Sequence, residues 1–330
     1  MAEGADEAFG DGVDPRPAYG RSDDRGVEDG VEGCVNWRVV CLWRSQGRSA
    51  VQRSVRRSCA GGALIVAHCD GNDCSGRWEV VVTVVFVHGN PETSAVWGPL
   101  VEVLDRDDVV CLSPPGFGAP VPEAWGARVE EYRDWLAGEL AAIGTPVDLV
   151  GHDWGGAHVV NVAMTRPDLL RSWCTDVIGI YDPDYVWHDL ARVWQTPFEG
   201  EHAVGAMIGT PFAERAAGLI GAGMAAAVAE RIAPAVDEDM ARCILALYRS
   251  AAQPRMAQLG QDLLNAAQRP GLALRAADDH FVGTETMHRR AAQRAGARIE
   301  VLEGLGHWWM TQDPTRGAAA LHRFWDSLPR

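Results

Sequence analysis

The residues best suited to chemistry are Gly151-His152-Asp153-Trp154-Gly155-Gly156. A strand-like run precedes them and a helix-like run follows. The pattern glycine, any residue, reactive residue, any residue, glycine fits a turn so tight that only small residues are tolerated at its flanks. Such a turn lifts one side chain above the end of a sheet. The helix that follows points its N-terminus at that side chain and favours negative charge there. The side chain here is a carboxylate, which is ionised at neutral pH and needs no base to act as a nucleophile. Attack on an sp³ carbon would leave an alkyl ester on Asp153, to be cleared later by water. The plainer reading is that Asp153 merely caps the helix.

A turn of this kind needs a sheet and a helix to hold it. From Glu79 the run EVVVTVVFV reads as a buried parallel strand entering His88-Gly89-Asn90-Pro91. Asp108 to Leu112, Pro146 to Val150 and Leu170 to Ile180 read as further strands, with helices over Val129 to Ile143 and Ala157 to Met164. The alternation returns late: a strand over Leu272 to Ala276, a helix over Glu285 to Ala295, a strand over Ala297 to Leu302 and a terminal helix over Arg316 to Leu328. Strands alternating with helices predict a mainly parallel sheet with helices on both faces, an α/β fold. Residues 181–265 are Ala-rich and helical in pattern, so they read as an inserted helical cap. The core is then 79–180 and 266–330. Residues 1–78 show no sustained period and read as a disordered N-terminal extension. An over-long reading frame starting naturally near Glu79, or a genuine small domain with strands at Val39–Trp43 and Ala63–Ala67, are the alternatives.

These motifs resemble the α/β-hydrolase superfamily, and within it the haloalkane dehalogenase and epoxide hydrolase branch. The resemblance covers about residues 80–328. It implies a nucleophile, an acid and a histidine in that order along the chain. His307, in Gly304-Leu305-Gly306-His307-Trp308-Trp309, stands where the superfamily keeps its base. Asp279, after a strand and upstream of His307, stands at the usual position of the acid. Asp176, at the end of the strand after the nucleophile helix, is the rival, because some dehalogenases carry the acid there. His88 and His152 read as structural neighbours of the site. The resemblance also implies an oxyanion hole from the backbone N–H groups of Trp154 and Asn90. Esterases and lipases of this kind would carry serine at position 153.

The leaving group is where two activities part. Halide needs neutral donors in a dry pocket, and the Trp154 indole with the Asn90 amide would supply two. That likeness makes a haloalkane dehalogenase the leading reading. An epoxide needs proton donors from the cap. Tyr248 resembles one such tyrosine, with Tyr181 or Tyr185 as the second, which keeps epoxide hydrolase as the alternative. Tyr248, Trp187 and Trp194 could equally be packing in an apolar pocket. A non-enzymatic binding module on the same fold is the reading from another class.

Composition narrows the partners. The net charge of -15 speaks against nucleic acid and anionic membranes, both polyanions. All positive charge is arginine, since the chain has no lysine. The eight cysteines form no CxxC pair, and no GxGxxG or Walker pattern lies in a suitable context, so neither metal nor organic cofactor is expected. Free thiols, the lack of an apolar stretch of membrane length and an acidic N-terminus unlike a signal peptide suggest the cytoplasm. The expected partners are a small apolar substrate, an alkyl halide or an epoxide, and water.

Overall fold

The computed structural model describes residues 82–329 in full and, upstream of them, the backbone of three strands. Those strands are β1 (Gln52–Ser58), β2 (Leu64–Asp70) and β3 (Trp78–Val80), paired antiparallel in that order. The expected strand at Val39–Trp43 and most of the expected extension over 1–78 lie outside the described residues.

The main sheet comprises β4 (Val84–Val87), β5 (Val109–Leu112), β6 (Val147–Gly151), β7 (Leu170–Thr175), β8 (Gly271–Ala276) and β9 (Arg298–Leu302). Its order is β5-β4-β6-β7-β8-β9, and every pairing is parallel. Side chains alternate between its two faces. Val85, Val87, Leu149, Trp173 and Ala273 join one core cluster; Val84, Phe86, Val150, Cys174, Leu272 and Leu274 join the other. Helices cover both faces, as the alternation of elements predicts. Helix α1 (Gly98–Leu104) lies on the second face, while α2 (Val129–Ile143) and α3 (Trp154–Thr165) lie on the first.

Helix α2 shows how directly the residues dictate the element. Its apolar positions Val129, Tyr132, Leu136 and Leu140 recur at helical spacing and are all buried. Each such side chain contributes about 1.5–3 kcal/mol of burial. Glu131 accepts the Arg128 N–H at 3.0 Å across the first turn, and Gly144, at φ 81°, ends the helix in the left-handed region.

Between β7 and β8 the chain forms a helical insertion: α4 (Asp189–Gln195), α5 (Glu199–Gly209), α6 (Phe212–Gly221), α7 (Ala226–Ile232), α8 (Glu238–Ser250) and α9 (Arg255–Leu259). Short 3₁₀ turns at Ile178–Tyr181 and Gly260–Gln268 flank it, slightly outside the expected limits. Helix α10 (Glu285–Arg294) joins β8 to β9, and α11 (Trp309–Gln312) and α12 (Pro314–Asp326) close the chain. Two expected strands come out shorter. EVVVTVVFV is divided between β3 and β4, and β7 stops at Thr175, where the Thr175 hydroxyl accepts the Val177 N–H at 3.3 Å and turns the backbone. No helix among the described residues is long and apolar enough to cross a membrane.

Candidate active site

Asp153 sits between β6 and α3 with φ 49° and ψ −127°. A non-glycine residue held at positive φ away from the left-handed helical well stores backbone strain, which persists only where the surroundings enforce it. They do so by close approach. A Cβ added at Gly151 would lie 2.5 Å from the Gly155 carbonyl oxygen, and one at Gly155 would lie 2.2 Å from the Val87 oxygen. The turn therefore requires its glycines, and it holds the Asp153 side chain out at the C-terminal edge of the sheet.

Three loops converge on that carboxylate. The Asn90 N–H donates to Asp153 Oδ1 at 3.0 Å. His307 Nε2 stands 3.8 Å from Asp153 Oδ2, and His307 Nδ1 is bound to Asp279 Oδ2 at 2.8 Å. Asp279 itself accepts the Phe281 N–H at 2.9 Å, which fixes its orientation. Burial alone would lower the pKa of His307, but the Asp279 carboxylate outweighs it and the net shift is upward. Burial would raise that of Asp279, but His307 prevails and holds it below its ordinary value. For Asp153 burial wins over the nearby imidazoles, and its pKa rises. The arrangement brings together a carboxylate, a backbone donor to one of its oxygens, and an imidazole oriented by a second carboxylate.

Asp176, the rival acid, does not reach His307. It binds His152 Nδ1 at 2.5 Å instead. Glu92, His152 and His307 offer ligand atoms all within 4.8 Å of one another, a spacing a cation could use. Both His152 nitrogens, however, already face carboxylates, Asp176 and Glu92, so the set does not form an available ligand cluster.

The helical insertion between β7 and β8 lies against the carboxylate. A narrow cavity of about 20 Å³ is lined by Asp153, Trp154, Tyr185, Trp187, His188 and Tyr248, among others. Trp187 stacks on Trp154 with centroids 5.7 Å apart, and the Tyr248 ring meets Trp154 edge-on at 5.3 Å. Trp194 packs against Tyr248 at 4.8 Å, behind the lining. The Asn90 side-chain amide is buried and makes no hydrogen bond, as is the Trp187 indole N–H. Burial raises the Tyr248 phenol well above its ordinary pKa, with the Asp153 charge adding to it, while the facing Trp154 and Asn90 side chains oppose the shift.

Of the three cap tyrosines only Tyr248 offers its hydroxyl here. Tyr185 donates to the Phe281 carbonyl at 2.8 Å, and Tyr181 to the Ala157 carbonyl at 2.8 Å. The second polar group over Asp153 is His188, which the sequence reading does not single out. His188 caps α4: its Nδ1 accepts the Ala191 N–H at 3.2 Å, which leaves the ring proton on Nε2. Burial, with help from His307, lowers its pKa to about 4, so it is neutral near pH 7. Its position just ahead of Asp189-Leu190-Ala191 at a helix start is the signal that could have found it.

The chain belongs to the alpha/beta hydrolase family, whose model matches residues 84–321. Among curated proteins it is similar to (E)-2-((N-methylformamido)methylene)succinate hydrolase of Acinetobacter baylyi, 30% identical over 100 residues, or 30% of this chain and 38% of that protein. An epoxide hydrolase of Caballeronia sordidicola is 33% identical over 27% of this chain and 29% of its own length. A haloalkane dehalogenase of Bradyrhizobium diazoefficiens is 30% identical over 37% of this chain and 39% of its own. The chain thus matches well under half the length of these relatives. Among solved structures, E-2-(acetamidomethylene)succinate hydrolase superposes with a TM-score of 0.56 at 20% identity, over 84% of this chain and 100% of that one. A haloalkane dehalogenase variant from Bradyrhizobium elkanii gives 0.56 at 19%, over 84% and 99%. These likenesses show the fold.

Proposed function

We propose that this hydrolase opens a small uncharged epoxide through a covalent ester on Asp153. The observation that carries this reading is the pair of neutral proton donors, the Tyr248 hydroxyl and His188 Nε2–H, in the cavity that Asp153 faces. Asp153 Oδ1 is engaged by the Asn90 N–H, so Oδ2 is the atom free to bond to carbon. As that bond forms, the carbon–oxygen bond of the ring breaks and the oxygen takes the Tyr248 proton. His307, oriented by Asp279, then removes a proton from water, and the hydroxide attacks the carboxyl carbon of Asp153. The oxyanion falls on Oδ1, beside the Asn90 N–H, with the Trp154 N–H as the second donor. Collapse breaks the ester bond between the carboxyl carbon and Oδ2. That oxygen takes the proton of the newly formed Asp153 carboxyl and leaves with the diol, and the proton held on His307 returns to the Tyr248 phenolate, restoring all three groups.

Substrate charge follows from the lining. Among the described residues Asp153 is its one carboxylate, and no arginine lines the cavity. A carboxylate substrate such as the succinate derivatives named for two relatives would meet an anion in an apolar space without a cation to receive it. The cavity encloses only about 20 Å³, room for about one water, which favours compact molecules.

A haloalkane dehalogenase is the second reading, favoured by the Trp154 indole and the unpartnered Asn90 amide as halide donors. It shares the ester and the histidine. Purified protein given styrene oxide and 1,2-dibromoethane in parallel separates the two. Diol without bromide supports the first reading, and bromide without diol overturns it in favour of the second.

A further inference from the structure

Behind Asp153 lies a charged cluster that the reaction above does not use. His152 is fully buried, with Nδ1 at 2.5 Å from Asp176 Oδ2 and Nε2 at 3.2 Å from Glu92 Oε1. An ionised carboxylate only accepts, so satisfying both contacts requires a proton on each ring nitrogen, an imidazolium. Each carboxylate then gathers donors from a different part of the site. Glu92 accepts the Gly89 N–H at 3.3 Å through Oε2, and the Trp308 indole through Oε1. Asp176 accepts the Asp153 N–H at 3.1 Å through Oδ1 and the Trp309 indole at 2.8 Å through Oδ2. The donors thus come from the Asn90 loop, from the strained turn of Asp153, and from the two residues directly after His307.

We propose that Glu92, His152 and Asp176 are positioning residues, a buried ionic strut that holds Asp153, the Asn90 loop and His307 in register and places a fixed charge beside His307. The inference rests on the reading of Asp153 and His307 given above. The His152 and His307 rings are 4.5 Å apart at a tilt of 54°. His307 therefore titrates in a field set by the strut. The charged or titratable groups facing His152 are Glu92, Asp176, His88, Asp153, Asp279 and His307. Burial works against charge on His152, yet Asp176 and Glu92 together raise its pKa well above the ordinary value. Burial likewise works against charge on Glu92, and His152 reverses it, bringing the carboxyl down to about 2. His88, by contrast, is pushed down to about 4 by burial and stays neutral, bound to Gly89 and Ser113.

The test is histidine NMR on ¹⁵N-labelled full-length protein, which needs no substrate. His152 is expected to give imidazolium signals from pH 6 to 8. In Glu92→Gln, which keeps the shape and an acceptor while removing the charge, the His307 midpoint should fall by about one unit. In His152→Gln it should not fall. The matching kinetic readout is the pH profile of ester hydrolysis, whose acid limb should move with the His307 midpoint in Glu92→Gln. A neutral His152 across that range overturns the proposal. So does Glu92→Gln that loses activity while leaving the His307 midpoint in place, the result expected of an ordinary packing residue. An imidazolium at His152 in a protein that forms no ester would sink the proposed reaction and leave the strut standing.

Discussion

Gly89→Ala should damage the site through the turn that carries Asp153. A Cβ at Gly89 would lie 2.1 Å from Asp153 Oδ1 and 2.4 Å from Asp153 Cβ, against 3.4–4 Å for ordinary contact. Gly89 is not in the left-handed region, so alanine carries no backbone penalty there. The cost falls on the neighbour: Asp153 Cβ is fixed to its backbone, so the Asp153 turn and the Asn90 loop must part by about 1 Å, and an error of that size costs about 10²-fold in rate. It also pulls Oδ1 away from the Asn90 N–H, and loss of one oxyanion donor costs about 10²–10³. The two effects share a cause, so a fall in kcat of about 10²–10³, or about 2.7–4 kcal/mol, is expected. Gly138→Ala is the control. It lies within α2 with nothing within 4 Å of its added Cβ. It should stabilise the protein by about 0.5–1 kcal/mol and leave the rate alone. Steady-state kinetics with urea unfolding on both variants reads the contrast. Full activity in Gly89→Ala would show that the close approach of the Asn90 loop to Asp153 does not govern the chemistry.

Tyr248→Phe removes the hydroxyl and keeps the ring contacts with Trp154 and Trp194, so epoxide opening should fall by about 10²-fold or more with unchanged unfolding; unchanged diol production would remove Tyr248 from the reaction. In the proposed reaction His307 acts as a base when neutral, and Asp279 raises its pKa, so ester hydrolysis should fall as pH drops through that raised value. Asp279→Asn should move this limb to lower pH while slowing the plateau, and pre-steady-state rates across pH report both. The stability linkage has the opposite sense. With its folded pKa raised, His307 contributes stability that is full below its unfolded pKa and is lost as pH rises through the folded one. Urea unfolding from pH 6 to 9 in wild type against His307→Gln isolates that contribution. Trp309→Phe deprives Asp176 of an indole donor at 2.8 Å and should cost about 1–3 kcal/mol in urea unfolding.

Much of this architecture is written locally. Helix α2 spans Val129–Ile143 as its spacing predicts, because Glu131 and Gly144 close its ends without help from elsewhere. The turn at Asp153 is legible because its glycines are demanded by contacts within a few residues and with the adjacent strand. What depends on distant partners is not. The strand expected through Ile180 ends at Thr175, just before Asp176, whose carboxylate is drawn to His152 and Trp309. Asp279 and Asp176 each follow a strand, and nothing in their flanking residues says which histidine each will serve. The answer turns on His152, which reads as a structural neighbour and which the fold places between two carboxylates. His188 is not legible in the sequence because its meaning depends on how the helical insertion folds back over Asp153.

The covalent ester is the central claim, and a single-turnover reaction in H₂¹⁸O tests it most directly. With enzyme in excess over epoxide, the account predicts that ¹⁸O appears in the peptide containing Asp153, while the oxygen newly added to the diol comes unlabelled from the Asp153 carboxylate. Label found wholly in the diol, with none in that peptide, would mean that water attacks the substrate directly and would contradict the account.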